Sequence, residues 1–213
     1  MFRRVIFYIK WLLYQICFRR GDLSMNKISK IIEAISYILL KLRSVDKIHI
    51  VKLMYLADKY HLMNYGRTIT EDDFIALTHG PVGSKTMDVL EYDPYILGEL
   101  SGFAQEMFTN IKDFEYIPGD KSDFKKMEML SESDIEALEF SIKNFGKMDK
   151  WSVVDYTHTL PEWKKFEKQF HENLIKKESI KPEKVLCSPE DVYFNIPNNH
   201  IKQSAEILNG TFD

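Results

Sequence analysis

The sequence is poor in the residues and motifs that build disulfides, metal centres and phosphate sites. Its 213 residues include only two cysteines, Cys17 and Cys187, which lie far apart. No disulfide framework is therefore predicted, and a reducing cytoplasm is the expected location. The chain has no glycine-rich phosphate loop, dinucleotide fingerprint, G-x-S-x-G elbow, HExxH or CxxC. Because each of these enzyme signatures is missing, we predict no catalytic residue, no cofactor and no metal ligand.

A concentrated basic region is also missing from the body of the chain. The overall charge is −3. Residues 1–24 hold five arginines and lysines against one aspartate, a net of +4, and subtracting this from −3 leaves −7 for the rest. Nucleic acid is usually bound by a concentrated basic face. The acidic body therefore favours a basic protein partner and argues against specific nucleic-acid binding.

The apolar run within residues 1–24 is too short for a spanning helix, and the small-residue cleavage site of a signal peptide does not follow it. The run is interrupted by Lys10 and flanked by arginine pairs. Three interpretations stay open: a membrane-surface anchor, a partner-binding helix, or a segment that is not translated because Met25 is the true start. We favour the last, because codons for residues 20–23 can spell a ribosome-binding site. Membrane contact is expected only if the segment is translated and acts as an anchor.

Apolar residues are abundant, at 45%, and their spacing predicts helices. Isoleucines and leucines recur at helical spacing over residues 26–42. A second helix, capped by Asp46 or Ser44 and stopped at residues 64–66, is apolar on nearly every face. Such a helix is expected to lie buried at the centre of a fold.

Short strands and helices are predicted after the central helix. Residues 74–77 suit a strand, and Ser84 is expected to cap a short helix. The alternation at residues 114–117, followed by a weaker apolar stretch at 124–129, predicts a small hairpin.

The last third of the chain reads as helices with one further strand. A helix starts at Ser131 or Ser133, with Ser133 and Glu136 as a capping box, and ends at Gly146. A further helix covers residues 151–156, a strand covers 192–194, and a final helix covers 199–208. The predicted fold class is mainly α (α+β): a compact helical domain around a buried central helix, with a small antiparallel β element.

Two ordered blocks of sequence resemble the Panacea domain, the SocA-like antitoxin family of bacterial and phage toxin–antitoxin systems. The first block contains KLMYLAD at 52–58, then Leu62, Gly66-Arg67, Phe74, Ala76 and Gly80-Pro81-Val82. The second contains Leu130-Ser131, a helix to Gly146, then Trp151-Ser152, Thr157-His158 and Trp163. In the helix after Gly80-Pro81-Val82 a tyrosine is common in the family, and Met87 and Val89 stand nearby instead.

The resemblance implies a Panacea domain at residues 25–175. A basic and apolar extension at 1–24 precedes it, and a proline-containing segment at 176–213 packs on it. It also implies an antitoxin that binds a toxin encoded by a neighbouring gene and neutralises it by direct protein–protein contact. Alternatives are a proteolytic adaptor that delivers the bound toxin to an AAA+ protease, or a phage or mobile-element protein that binds a host factor. A metal-dependent enzyme is less favoured.

Nine residues of the two blocks are predicted to bind the partner. They are Asp58, His61, Tyr65, Arg67, His79, Pro81, Trp151, His158 and Trp163. Tyrosine, tryptophan and arginine are enriched at interface hot spots, and Tyr65 and Trp163 are expected to be the most exposed of the aromatic candidates. Asp58, His61, His79 and His158 would form a metal site if the fold brought them together. The favoured interpretation is that these four side chains cap, pair or hydrogen-bond within the body.

Overall fold

The computed structural model describes residues 25–112, 114–186 and 191–211. These residues form a mainly helical α+β fold with two small antiparallel sheets, which confirms the predicted fold class. Within the described ranges, no helix combines the length and the apolar character needed to cross a bilayer. The predictions for the segment 1–24, and both cysteines, fall outside the described residues.

Helices make up most of the described residues. They are α1 (25–42), α2 (Lys47–Tyr65), α3 (Ser84–Leu90), α4 (Pro94–Leu97), α5 (Ser101–Met107), α6 (Glu132–Phe145), α7 (Lys150–Thr159), α8 (Pro161–Lys164), α9 (Glu167–His171), α10 (Pro182–Val185) and α11 (Asn198–Asn209). Two 3-10 turns lie at Gly98–Leu100 and Phe124–Lys126.

Helix α2 forms the centre of the fold, as its sequence predicts. The Asp46 carboxylate accepts a hydrogen bond from the Ile48 amide at 2.9 Å, and Gly66 ends the helix with φ of 68°. Most of its side chains are buried, including the charged Lys52 and Lys59. Helices α6, α7 and α11 and one sheet pack around it. Because α2 is covered on several sides, its polar side chains must find partners inside the protein.

The two sheets each contain three antiparallel strands. In one, β2 (Phe74–Leu77) lies between β3 (Gly80–Gly83) and β6 (Glu178–Ser179). In the other, the order is β1 (Val45–Asp46), β5 (Glu115–Pro118), β4 (Phe108–Lys112). The first sheet places the tight β2–β3 turn beside the N-terminal half of α2.

The predicted strand at residues 114–117 is confirmed as β5, but its predicted partner at 124–129 is wrong. Strand β5 pairs with β4, which precedes it in the chain, and not with residues 124–129. Asp123 accepts a hydrogen bond from the Lys125 amide at 3.0 Å, and this cap closes a 3-10 turn. The local cap therefore competes successfully with strand pairing.

Two helix caps differ from the prediction. Gly83, not Ser84, is the N-cap of α3, and Asp72 supplies the acceptors by receiving the Lys85 and Thr86 amides at 2.8 Å each. At α6 the N-cap is Ser131, one of the two predicted starts, and its capping box joins it to Asp134. The predicted pair, Ser133 and Glu136, instead hydrogen-bonds to side chains of α2. Helix α6 ends at Gly146, as predicted.

The C-terminal residues pack against α2 and its neighbours. Ser204 of α11 donates to the Met63 carbonyl at 2.8 Å. The predicted strand at 192–194 is wrong. Asp191 accepts the amides of Tyr193 and Phe194 at 2.8 and 3.1 Å, so a side-chain turn takes donors that a strand would need. The final helix is confirmed.

Candidate functional site

The nine predicted partner-binding residues separate into two groups. Asp58, His61, Tyr65 and Arg67 lie toward the C-terminal end of α2. The remaining five, His79, Pro81, Trp151, His158 and Trp163, come from the β2–β3 turn, β3, α7 and α8. The hypothetical metal site of Asp58, His61, His79 and His158 is not formed. Among the described residues, no three His, Cys, Asp or Glu side chains gather in a way that could hold an ion.

Two residues of the first group, His61 and Arg67, meet at the buried carboxylate of Asp134. His61 hydrogen-bonds through Nδ1 to the Arg67 carbonyl at 2.8 Å, and its Nε2 lies 3.2 Å from Asp134 Oδ1. Lys30 and Arg67 approach the same carboxylate at 2.6 and 3.1 Å. Burial opposes ionisation of Asp134, but the hydrogen bonds from His61 and Lys30 outweigh it, so the pKa of this carboxyl lies below its usual range. This junction ties α1, α2 and α6 together.

Asp58 organises the loop after α2 from inside the protein. Its carboxylate accepts the amides of Ile69 and Thr70 at 2.8 and 3.1 Å, and the Thr70 hydroxyl at 2.5 Å. Burial raises the pKa of Asp58 to about 7, although the Thr70 hydrogen bonds act in the opposite direction. Tyr65 is exposed, at 36%, but less so than Trp151 at 50%, and it donates to Glu136 at 2.6 Å. In this group only Tyr65 and Arg67 present side chains to solvent.

The expectation that Trp163 is exposed is wrong. It is 2% exposed and stacks between His158, with ring centroids 3.8 Å apart, and Phe170 at 5.8 Å. Its indole N–H donates to the Leu77 carbonyl at 2.8 Å and so attaches α8 to β2. Trp163 is therefore part of the scaffold under the β2–β3 turn.

A pocket of about 590 Å³ lies between α2, the β2–β3 turn, α3 and the start of α7. Its size is typical of ligand pockets, roughly 300–1,000 Å³. The apolar wall consists of Ile48, Val51, Leu77, Val82 and Met87. The charged and polar lining includes Asp46, Lys47, Lys52, His79, Lys150 and Lys176. The pocket is thus apolar in one part and basic in another.

Lys52 is the most unusual residue of this lining. It is 1% exposed, and its ammonium donates to the Pro81 carbonyl at 2.9 Å. Burial lowers the pKa of Lys52 well below its usual value. Among the described residues, no carboxylate forms an ion pair with it. A buried amine without a counter-ion is costly, and it marks this wall as a candidate binding position.

Gly80 allows Lys52 to approach the strand. Its φ of 98° is one that residues with a side chain rarely adopt. A Cβ at this position would lie 2.6 Å from both Lys52 Nζ and Thr157 Oγ1. The glycine of the Gly80-Pro81-Val82 motif is therefore required by backbone conformation and by the close approach of two polar side chains.

We expect Gly80→Ala to lower the free energy of unfolding by at least about 1–3 kcal/mol, because the new Cβ adds strain and a clash. Urea denaturation followed by circular dichroism measures this change. Gly102→Ala is the matched control, since it lies in α5 and a Cβ there meets nothing within 4 Å. The control should be neutral or stabilise the fold by up to about 1 kcal/mol. Equal effects of the two substitutions would contradict the role given to Gly80.

Exposed rings surround the mouth of the pocket. Phe114 is 61% exposed and Trp151 is 50% exposed. The exposed His79 ring meets Trp151 edge to face, with centroids 5.7 Å apart. We call the pocket together with His79, Phe114 and Trp151 the pocket face. Large exposed rings around a partly apolar pocket are typical of an interaction surface.

A protein-family model described as "Antitoxin SocA-like, Panacea domain" matches residues 50–164, more than half of the chain. The chain belongs to this SocA-like Panacea family. No curated protein and no solved structure shows significant similarity to it. The matched Panacea region includes Lys52, strand β3 and the start of α7, and so contains most of the pocket face. Asp46, Lys47, Ile48 and Lys176 line the pocket from outside the matched region.

Several pocket residues were not among the predicted site residues. Lys52 could have been singled out from the sequence, because it is one of the few charged residues in a helix that is apolar on nearly every face. Phe114, Lys150 and Lys176 carried none, since they reach the pocket from three separate parts of the chain. Of the predicted residues, His79 lines the pocket, Trp151 contacts His79, and Pro81 accepts the hydrogen bond from Lys52.

Proposed function

We propose that this protein is an antitoxin that binds a cognate toxin, encoded by a neighbouring gene, and neutralises it by direct contact through the pocket face. The observation that carries the proposal is the Panacea family match over residues 50–164. The toxin is blocked because a bound antitoxin covers its active surface, and the mechanism needs no chemical step by the antitoxin. The pocket face is the favoured contact surface, because it joins a partly apolar pocket to three exposed rings.

The rings suit this role for a physical reason. A half-exposed tryptophan removes a large apolar area from water on binding and orders few torsions. Trp151 also has Lys150 Nζ 5.6 Å from its ring, which holds a cation at the edge of the surface. Binding energy at interfaces concentrates on a few such residues. Trp151 is therefore the residue whose removal should weaken toxin binding without disturbing the core.

Growth rescue tests the proposal. Each neighbouring gene is expressed from an inducible promoter, alone and together with this protein. We expect one neighbour to stop growth and the wild-type protein to restore it. Trp151→Ala should fail to restore growth at an unchanged antitoxin level. The matched control is Tyr95→Ala, because Tyr95 is 95% exposed and does not line the pocket; it should rescue fully.

The outcomes separate the alternatives. If no neighbour is toxic, or none is rescued, the antitoxin proposal is wrong. An immunoblot of the toxin then distinguishes the two modes of rescue. A constant toxin level supports blocking by contact, whereas a disappearing toxin supports delivery to an AAA+ protease.

A further inference from the structure

We propose that the pocket receives an acidic side chain of the toxin, with the carboxylate on Lys52 Nζ and an adjacent apolar side chain against the aliphatic wall. This inference rests on the proposed function, because it names the chemistry of the partner that the pocket face recognises. The occupant is a short acidic and apolar segment of a protein surface.

The charges that line the pocket favour an acidic occupant. Lys150 is already paired with Asp46 at 3.0 Å, and Lys47 is paired with Glu91. Lys52 and Lys176 form no ion pair with any described residue. Lys176 therefore gives the pocket an unbalanced positive charge on a body whose net charge is negative, and Lys52 adds a second one when its amine is protonated. Charges separated by more than about 8 Å are largely screened at physiological salt. A group bound in the pocket is therefore attracted by the pocket's lysines more than it is repelled by the acidic residues elsewhere on the body.

Lys52 has unused hydrogen-bonding capacity. An ammonium offers three donors, and only the hydrogen bond to the Pro81 carbonyl is formed with the described residues. Lys52 and Gly80 both line the pocket, and because Gly80 has no side chain, Nζ lies directly against the strand at the pocket wall. A carboxylate at this position would supply the missing counter-charge and a charge-assisted hydrogen bond. It would also favour the protonated amine, which burial alone disfavours.

The apolar wall of the pocket favours an apolar side chain next to the acidic residue. Ile48, Val51, Val82 and Met87 offer only aliphatic and thioether surface. A fully hydrated anion would leave this surface exposed to water, whereas an apolar neighbour of the acidic residue would bury it. Phe114, just before β5, and Trp151, in α7, are both exposed. They offer contacts to a polypeptide that continues beyond the pocket, which a free small anion cannot use.

The first arm of the test does not need the toxin. The full chain is labelled with ¹³C-lysine, and the Lys52 Cε signal is identified by its loss in Lys52→Met. Acetyl-Leu-Glu-Leu-amide, acetyl-Leu-Gln-Leu-amide and inorganic phosphate are titrated separately. We expect the Glu peptide to shift the Lys52 signal and to bind about tenfold or more tightly than the Gln peptide, because a charge-assisted hydrogen bond is lost. Equal binding, no shift with the Glu peptide, or a shift with phosphate alone would overturn the proposal.

The second arm uses the toxin found by growth rescue. Lys52→Met keeps a long apolar side chain and should weaken toxin binding about tenfold or more. Lys143→Met is the control, because Lys143 is exposed on α6 and does not line the pocket. If Lys52→Met does not fold, Lys176→Glu reverses an exposed pocket charge and should weaken binding similarly.

The two proposals fail in different ways. Rescue by the wild-type protein, with equal toxin binding by the folded Lys52→Met variant, overturns the acidic-side-chain proposal and leaves the antitoxin proposal standing. Absence of rescue by the wild-type protein overturns the antitoxin proposal. The peptide titration then still decides whether the pocket recognises a carboxylate.

Discussion

Glu162→Leu is expected to lower the free energy of unfolding by about 3–5 kcal/mol, because it leaves a buried ammonium without its counter-ion. Lys59 Nζ lies 2.7 Å from Glu162 Oε1, and both side chains have no exposed area. The Tyr55 hydroxyl donates to the same oxygen at 2.8 Å and would lose its acceptor. Urea denaturation at constant pH, followed by circular dichroism, measures the loss.

The double variant Lys59→Met/Glu162→Leu is the control for this pair. Replacing both charges with apolar side chains removes the unpaired ion, and such replacements are often neutral or stabilising. We therefore expect the double variant to recover most of the lost stability. The pair interaction follows from the two single variants and the double variant in one thermodynamic cycle. A double variant no more stable than Glu162→Leu would contradict the coupling.

Trp163→Ala is the second large expected effect, at about 3–5 kcal/mol of lost unfolding free energy. The ring is buried, stacks on His158 and Phe170, and donates to the Leu77 carbonyl. Its removal would open a cavity under β2 and detach α8 from that strand. The same denaturation experiment measures it.

Trp151→Ala is the matched control, because the same substitution is made at a half-exposed ring. Surface substitutions usually change stability by about 0.5 kcal/mol or less. We therefore expect Trp151→Ala to fold normally and to lose toxin binding, whereas Trp163→Ala should lose stability first. Similar losses of stability in the two variants would contradict this division of roles.

Helix ends could be predicted from the sequence where neighbouring residues alone determine them. Asp46 and Gly66 begin and end α2 through a cap and a left-handed glycine, and both features depend on neighbouring residues. The burial of α2 follows from apolar residues on nearly every face. The sequence could not show that Trp163 is buried and Trp151 exposed, because this difference depends on how α8 packs beneath β2.

Prediction fails where two local structures compete or where distant segments meet. Ser131 and Ser133 both suit a cap, and the choice is decided by His61, which hydrogen-bonds to Ser133 from α2. Residues 192–194 have strand-like composition, but the Asp191 carboxylate accepts the amides of Tyr193 and Phe194. Lys176 reaches the pocket only through the tertiary fold. The domain limits at 25–175 and 176–213 stay a prediction.

Hydrogen–deuterium exchange of the antitoxin, alone and bound to the toxin identified by growth rescue, tests the central claim most directly. If the toxin binds the pocket face, amide exchange in the bound antitoxin should be slower at residues 78–83, at 109–112 and 115–117, and at the start of α7. The surface around Tyr65 and Arg67 should be unchanged. Protection confined to that second surface, or no protection at the β2–β3 turn, would contradict toxin binding through the pocket face.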